Sequence, residues 1–543
     1  MGEITQQNIW PDMQIEIDPN SYSSVVEMFE QAFLTYPEKT AYVGLGGSLS
    51  YAEADRLSRD FAAVLQAKLG VKKGDRIALM APNILAFPIA MLGIIRAGGV
   101  QVNVNPMYTP HELEHQLNDA GAEIIVVFGG STSTLAEVVD NTPIKTVITI
   151  DLGDTTTTKI PSPPVDERLS NTLRFAELLD DGEELDFDPP VITGDDLLFL
   201  QYTGGTTGLS KAAVLTHRNL VANTEQTKAA LPEAMRHGQE VVVTPLPLYH
   251  IFALMVNMIT YSSIGATNYL VANPRDPEQL ISAYRDSGFT VSTAVNTLIA
   301  GLAAHPGLKD IDFSNYRAMI GGGAPVQEAV SNRWKEVTGH HVLEGYGMSE
   351  TSPVLTLNPM GQEEFSAAVG YALPSTDIIF LDEDDHQVGV GEAGEICAKG
   401  PQVMQGYWNR PEETASNFTE DGYFRTGDIG VRDENGLIKI VDRKKDMVLV
   451  SGFNVYPNEI EAHVAMLDDV AECAAIGVPD EKTGEAIRLF ISLANGSDLT
   501  SDQVIEHCRQ GLAGYKVPKQ IRFLDELPKS TVGKILRKDL REL

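Results

Sequence analysis

Cysteine is nearly absent from this chain of 543 residues: Cys397, Cys473 and Cys508 are the only three, and no two are spaced as CxxC. That excludes a disulfide framework, argues against a thiolate zinc site, and fits a reducing compartment. Positive charge is also scarce. The chain has 41 Lys and Arg against 75 Asp and Glu, a net charge of −34. Such a balance argues against bulk binding to nucleic acid and against electrostatic docking on anionic lipid. A solubilising acidic surface is the simple reading. Unbroken apolar runs are missing too. Residues 84–95 are apolar but short and contain Pro88. Residues 241–274 carry no Asp, Glu, Lys or Arg, yet Pro245, Pro247, Asn257, Ser262, Ser263 and Asn268 interrupt them. A membrane span needs about twenty mostly apolar residues, so a buried helix followed by a buried strand is expected there. The opening MGEITQQNIW shows no basic segment followed by an apolar one, and Gln6 stands where myristoylation expects Ser or Thr. The expectation is a cytoplasmic protein.

What is present is alternation. Apolar residues make up 43% and charged residues 21%, ordinary for a globular protein, and the length implies more than one core. Apolar, largely β-branched runs at 76–80, 123–128, 241–243 and 290–295 each precede a helical pattern. This predicts an α/β fold of βαβ subdomains with parallel-type sheets and ligands at strand ends. Residues 154–188, rich in Thr, Pro and acidic clusters, read as a polar excursion. From about Asp377 hairpin-like strands take over, predicting a small β-barrel-like part. The charged DRKKD of 442–446 then separates two apolar strands. A boundary there divides an N-terminal domain, 1–442, from a small α+β C-terminal domain, 446–543. Residues 509–543 hold nine Lys and Arg against four Asp and Glu. They form either a solvated helix or a basic face for phosphorylated ligands.

The stretch YTGGTTGLSKAAVLTH, 202–217, follows the apolar run 197–200. It fails the Walker A spacing, because Ser210 precedes Lys211 and Ala212 follows it. The physical logic of a phosphate cradle survives: glycines let N–H groups converge on anionic oxygens, threonines add donors and Lys211 adds charge. Taken alone, a flexible loop fits equally well. Four further motifs shift that balance. IGGGAP (320–325) and EGYGMSET (344–351) end strands in small residues, permitting close approach of a flat ring. Glu350 sits among hydroxyls, suiting a hard cation. FRTGD presents Asp428, able to accept from two ribose hydroxyls. PKSTVGKILRK presents Lys534 on a glycine-led turn. Each alone reads as well as a turn glycine, a solvated Glu, a capping Asp or a surface Lys; together they point to a nucleotide.

In order and wording these motifs resemble the adenylate-forming superfamily of acyl-CoA synthetases, nonribosomal adenylation domains and luciferases. The resemblance runs from SVVEMFEQAFLTYPEKTAYV to LPKSTVGKILRKDLREL. Within the superfamily, LGIIRAGGVQVNVNPMYTPHELEHQLNDAGA and DGYFRTGDIGVRDENGLIKIVDRKKDMVLVSGFNVYPNEIE are most similar to bacterial long-chain fatty-acid–CoA ligases. The resemblance implies that a carboxylate attacks the α-phosphate of ATP, giving acyl-AMP and pyrophosphate, and that coenzyme A then displaces AMP. It implies that Thr203, Gly204, Gly205, Thr206, Thr207, Gly208 and Lys211 clamp phosphates, with Thr203 and Glu350 meeting Mg²⁺. Gly322, Gly323, Ala324, Pro325, Gly345, Tyr346, Gly347, Met348 and Ser349 would line the adenine site, and Asp428 and Arg443 would hold ribose. Lys534 would bridge carboxylate and α-phosphate. Lys445, in a hinge at 443–445, would let the small domain turn, bringing Gly452 and Phe453 to the pantetheine channel. Ala212, where relatives commonly have Gly, departs from the pattern and is expected to crowd the loop's exit.

Amino-acid-activating relatives carry an Asp near the segment matching PLPLYHIFALMV. Here 241–274 has no acid, so a buried substrate ammonium would go unpaired. The segment is apolar and aromatic, with Tyr249, Phe252 and His250, the last reading as a gate or a hydrogen-bonded core histidine. An apolar tunnel suits a fatty acid, each buried methylene contributing about 0.8 kcal/mol. The alternatives are an aryl-acid (hydroxycinnamate-type) CoA ligase, loading of a carrier protein, or a non-catalytic sensor. Chain length stays open, as does oligomeric state, a homodimer included. No anchor is encoded, so any membrane contact would be peripheral and transient.

Overall fold

The strand Arg76–Met80 shows how the large domain is layered. Ile77 and Leu79 face one apolar core while Ala78 and Met80 face another, the period of two expected of a strand buried on both sides. The same split recurs at Val241–Thr244, where Val242 joins the first core and Val243 a third. Two sheets therefore share a central layer, and each has its own outer layer. The helix Ala86–Arg96 is buried along its whole length and belongs to the shared core. These relations come from a computed structural model that describes residues 16–156, 159–203, 210–451, 453–480, 482–494, 496–531 and 533–543.

The first sheet has seven strands, ordered Leu173–Arg174, Thr146–Ile150, Ile124–Phe128, Arg76–Met80, Val100–Asn103, Leu197–Thr203 and Lys211–Thr216. All neighbours are parallel except the last pair, which is a hairpin. The second has nine strands, with a parallel centre from Leu343–Gly347 to Thr40–Gly44 and antiparallel strands at both ends. The uncharged 241–274 segment forms a buried helix and the strand Thr267–Leu270, as expected, but the helix Ala253–Thr260 is wound as a π-helix. The polar excursion contains an element the sequence reading passed over. Helix Phe175–Glu183 buries Phe175, Leu178 and Leu179, and Phe175 meets Phe61 edge-on at 4.8 Å.

The hairpin region becomes a four-stranded antiparallel sheet, Asp377–Leu381, Gly394–Lys399, Phe424–Arg432 and Ile438–Arg443. It does not close into a barrel among the described residues. After it, the five strands between Val448 and Phe523 form a separate sheet with its own cores on its two faces. Alternation divides these as well, with Ala475, Ile487 and Leu489 on one face and Ala474, Ile476 and Phe490 on the other. A small α+β domain with its own apolar interior thus follows the large one. No helix among the described residues is long and apolar enough to cross a membrane.

Candidate active site

The glycine–threonine stretch is bounded by the antiparallel strands Leu197–Thr203 and Lys211–Thr216 at the edge of the seven-stranded sheet. Thr203 stands opposite Lys211, so the two strand ends bring a hydroxyl and an ammonium together. Gly204, Gly205, Thr206, Thr207 and Gly208 lie outside the described residues. Ala212, expected to crowd the exit, packs its methyl in the outer core of that sheet. The Lys211 ammonium pairs with Glu413 and sits 5.5 Å from the centre of the Tyr407 ring. Tyr407 in turn donates its hydroxyl to Glu350 Oε1 at 2.8 Å. One tyrosine therefore links the Lys211 strand end to the Glu350 turn. The sequence reading missed it, and its only trace there is an aromatic pair, Tyr407 and Trp408, in a polar stretch.

Glu350 rides on the short 3₁₀ turn Ser349–Thr351 and is 6% exposed. Burial pushes its carboxyl above the usual carboxylate range, partly offset by the Tyr407 bond. A desolvated carboxylate with a single hydroxyl donor favours a cation beside it. No three His, Cys, Asp or Glu side chains cluster to hold a metal among the described residues. One buried carboxylate is a donor that would suit a hard cation such as Mg²⁺.

Gly322–Pro325 leave the strand Ala318–Gly321, whose neighbour is Leu343–Gly347. That neighbour carries the first four residues of EGYGMSET. It continues to Gly347 because Gly345, Tyr346 and Gly347 pair with Val354–Leu357 on the other side. Space explains the glycines: a Cβ at 347 would overlap the Pro353 carbonyl oxygen, and one at 322 would lie 3.2 Å from the Phe252 ring. Glu344 is buried, accepts the Val326 N–H at 3.0 Å, and has its carboxyl pushed up by burial to about 8. It thus ties the exit of the Gly322–Pro325 loop to the next strand. Met348 leads into the Glu350 turn, its N–H donated to Thr351 Oγ1 at 3.1 Å, and Ser349 begins that turn. Tyr346 donates its hydroxyl to Asp428 Oδ2 at 2.6 Å. Arg443 stands opposite Asp428 across two strands, with Nε 3.5 Å from Oδ1. Burial raises the Asp428 carboxyl, with Arg443 opposing it.

Lys534 arrives from the small domain on a tight turn. Ser530 N–H donates to the Lys534 carbonyl at 2.7 Å, and Lys534 N–H donates to Ser530 Oγ at 3.1 Å. Its side chain ends against Gly323, where a Cβ would lie 3.1 Å from Cε and 3.6 Å from Nζ. Lys534, Gly323, His250 and Phe252 line one small cavity of about 10 Å³, and a cleft of about 1010 Å³ opens beside it between the domains. Burial and the Arg443 cation lower the Lys534 ammonium to about 8, while Asp428 and Glu350 pull the other way. Burial, then the Lys534 cation, drives His250 down to about 3, so its imidazole is neutral, with Nδ1 accepting the Phe252 N–H at 3.3 Å.

The structure thus gathers Thr203, Lys211, Glu350, Gly322–Pro325, Tyr346, Asp428, Arg443, His250 and Lys534 around one site. Phe453 is elsewhere. It is 55% exposed and stacks on Tyr515 at 4.6 Å. Lys445 follows the strand Ile438–Arg443 and is exposed; partial desolvation of its ammonium, with the Arg443 cation beside it, lowers it to about 8, and Gly452 lies outside the described residues. The basic face expected of 509–543 is largely neutralised. Arg509, Lys516, Lys519, Lys529, Arg537 and Arg541 pair with Glu506, Glu459, Asp480, Glu472, Glu461 and Asp446, carboxylates that precede this tail in the chain.

Known proteins match the chain over nearly its whole length. The AMP-binding enzyme family matches residues 29–408, and the AMP-binding enzyme C-terminal domain matches residues 459–534. A long-chain-fatty-acid–CoA ligase of Salmonella typhimurium is 47% identical, covering 98% of this chain and 96% of its own. 4-Coumarate–CoA ligase 3 of Oryza sativa is 32% identical over 91% of this chain and 87% of its own. Among solved structures, ATP-bound MatB from Rhodopseudomonas palustris superposes with a TM-score of 0.83 at 32% identity, covering 95% of this chain and 98% of that one. With both of the family's regions matched in order along the chain, and a relative 47% identical over 98% of it, the chain belongs to the AMP-binding enzymes.

Proposed function

We propose that the protein is an ATP-dependent long-chain fatty-acid–CoA ligase that forms acyl-AMP and pyrophosphate, then acyl-CoA and AMP. The observation that carries this reading is the Lys534 ammonium lodged against Gly323 beside neutral His250. The first step joins two anions, a carboxylate and a triphosphate, and is slow unless oriented positive charge meets them. Lys534 bridges the attacking carboxylate and the α-phosphate, Lys211 and the Gly204–Gly208 loop hold the outer phosphates, and Asp428 and Arg443 fix the ribose. Gly322–Pro325 and Tyr346 flank the adenine. Glu350 and Thr203 would hold Mg²⁺, which would supply charge neutralisation at the phosphate oxygens.

For the second step the small domain turns about 443–445, withdrawing Lys534 and presenting Gly452 and Phe453 to the pantetheine arm. The exposed Phe453 ring, away from the site in the present pose, supports that division. The thiol attacks the acyl carbonyl, the C–O bond to phosphate breaks, and AMP leaves. The acid-free segment 241–274 and the greater identity to the fatty-acid ligase than to the coumarate ligase favour an alkyl acid. The enzyme works in the cytoplasm, touching bilayers only transiently to collect its substrate. Pyrophosphate release measured across carboxylic acids, with and without coenzyme A, tests the reading. Release with long-chain fatty acids and acyl-CoA only when coenzyme A is added is expected. Turnover confined to aryl acids, or none with any acid, overturns it.

A further inference from the structure

The Lys534 turn is gripped by the large domain at residues that none of the nucleotide motifs contain. Thr531 Oγ1 accepts two hydrogen bonds, from the Tyr249 hydroxyl at 2.9 Å and from Asn105 Nδ2 at 3.3 Å. Thr297 donates its hydroxyl to the Gly533 carbonyl at 3.3 Å. The fit is close at Gly533, where φ is +80° and a Cβ would lie 2.9 Å from Thr297 Oγ1 and 3.1 Å from Val295. Three separate pieces of the large domain therefore hold two residues just before the lysine: the segment after the strand Val100–Asn103, the segment before the π-helix, and the helix Asn296–Ala304.

Tyr249 is itself held from behind. Its carbonyl accepts from Gln201 Nε2 at 3.2 Å. Gln201 Oε1 accepts from Asn103 Nδ2 at 2.8 Å, and Asn103 Oδ1 accepts from Gln101 Nε2 at 2.6 Å. All three amides are buried, so each of these bonds meets a polar group that would be costly unpaired, although Gln101 Oε1 at the far end has no partner among the described residues. Gln201 lies two residues before Thr203 on the strand that feeds the phosphate hairpin. One polar chain thus runs from the base of the hairpin, through Tyr249, to the turn carrying Lys534.

We infer that Tyr249 and Thr531, with Asn105, form a latch that seats Lys534 for acyl-AMP formation and has no part in thioester formation. They are positioning residues, since they act on the lysine and not on the substrate, and the inference rests on the reading that Lys534 serves the first half-reaction. The bonds to Thr531 cross between domains and exist only while the turn is docked, whereas the Gln201–Tyr249 bond lies within the large domain and persists. Losing the crossing bonds leaves Lys534 in place chemically but less often docked.

The test measures the two half-reactions separately in full-length variants: single-turnover pyrophosphate release, and acyl-CoA formation from supplied acyl-AMP. Tyr249→Phe and Thr531→Val are each expected to slow the first by up to about tenfold, the scale of one or two neutral hydrogen bonds. The second should stay within about twofold, and Thr531→Ser, which keeps the oxygen, should restore the first. Tyr249→Phe combined with Thr531→Val should be no slower than Thr531→Val alone, because one bond joins the pair. Equal slowing of both half-reactions, fully additive effects, or unchanged pyrophosphate release overturns the latch. Lys534→Ala, run in parallel, separates the latch from its premise. If it abolishes the first half-reaction while the latch variants leave it intact, the latch alone fails. If it spares the first half-reaction, the role given to Lys534 fails.

Discussion

Lys534 is a cation held where cations are disfavoured, and that sets a pH dependence. Burial and Arg443 lower its ammonium from the usual 10.5 to about 8, so the charged form is present below that pH and lost above it. kcat/KM for acyl-AMP formation reports the free enzyme and should fall as pH rises through about 8. Bound ATP adds negative charge beside the ammonium and favours the protonated form. The corresponding limb on kcat should therefore lie at higher pH than the limb on kcat/KM. Lys445 is lowered to a similar value, so a control is needed. Lys534→Arg, charged throughout the range, should lack the alkaline limb whatever its absolute rate. A limb that survives in Lys534→Arg belongs to another group. His250 offers no rival on the acid side, since its ring stays neutral down to about 3. The lysine and the histidine were legible in the sequence as residue types in a motif. Their protonation states were not, because both follow from which distant groups fold against them.

At the scale of elements, two glycines separate chain flexibility from space. Gly301 lies inside the helix Asn296–Ala304, and a Cβ there would meet nothing within 4 Å. Gly301→Ala should stabilise the protein by about 0.5–1 kcal/mol through lost unfolded-state freedom. Gly347 sits in a strand, and its added methyl would overlap backbone that cannot swing aside. Gly347→Ala should lower stability by about 1–3 kcal/mol or more, as overpacking does, and weaken ATP binding. Thermal unfolding with and without ATP reads both, and equal shifts for the two variants would refute the packing argument. Neither outcome could be foreseen from the glycines alone, though the strands around them could. The apolar runs at 76–80 and 241–243 became strands almost residue for residue, because a short continuous apolar run ahead of a helical pattern is a local signal. The helix Phe175–Glu183 went unseen because its apolar residues are few and their partner, Phe61, is far off in the chain. Tyr407 and Thr531 escaped for the same reason: each matters only through a contact with a remote segment. The nucleotide motifs were readable because each packs its chemistry into a few consecutive residues.

For the whole molecule the question is what joins two domains with separate interiors. Arg537, three residues beyond Lys534, bonds Asp442 and Asp446 on either side of the proposed hinge and pairs with Glu461. These contacts lie close to the pivot, whereas the contacts around Thr531 and Gly533 lie at the site. Rotation would therefore keep charge pairing near the axis while breaking a few neutral hydrogen bonds and the exposed Arg333–Asp468 pair away from it, contacts that each contribute little. Holding the cleft shut should then permit one step and forbid the other. Arg275 and Glu526 line that cleft from opposite domains and both are exposed. The three native cysteines are buried and their thiols are raised in pKa by burial, so thiolates introduced at the surface react selectively. A variant with Arg275→Cys and Glu526→Cys, bridged by a short cleavable bis-maleimide, should release about one pyrophosphate per enzyme with fatty acid and ATP, retain acyl-AMP, and make no acyl-CoA when coenzyme A is added. Cleaving the bridge should let the stored acyl-AMP go on to acyl-CoA. If the bridged enzyme makes acyl-CoA as fast as the unbridged one, the second step needs no rotation, and the exposed Phe453 ring must be explained some other way.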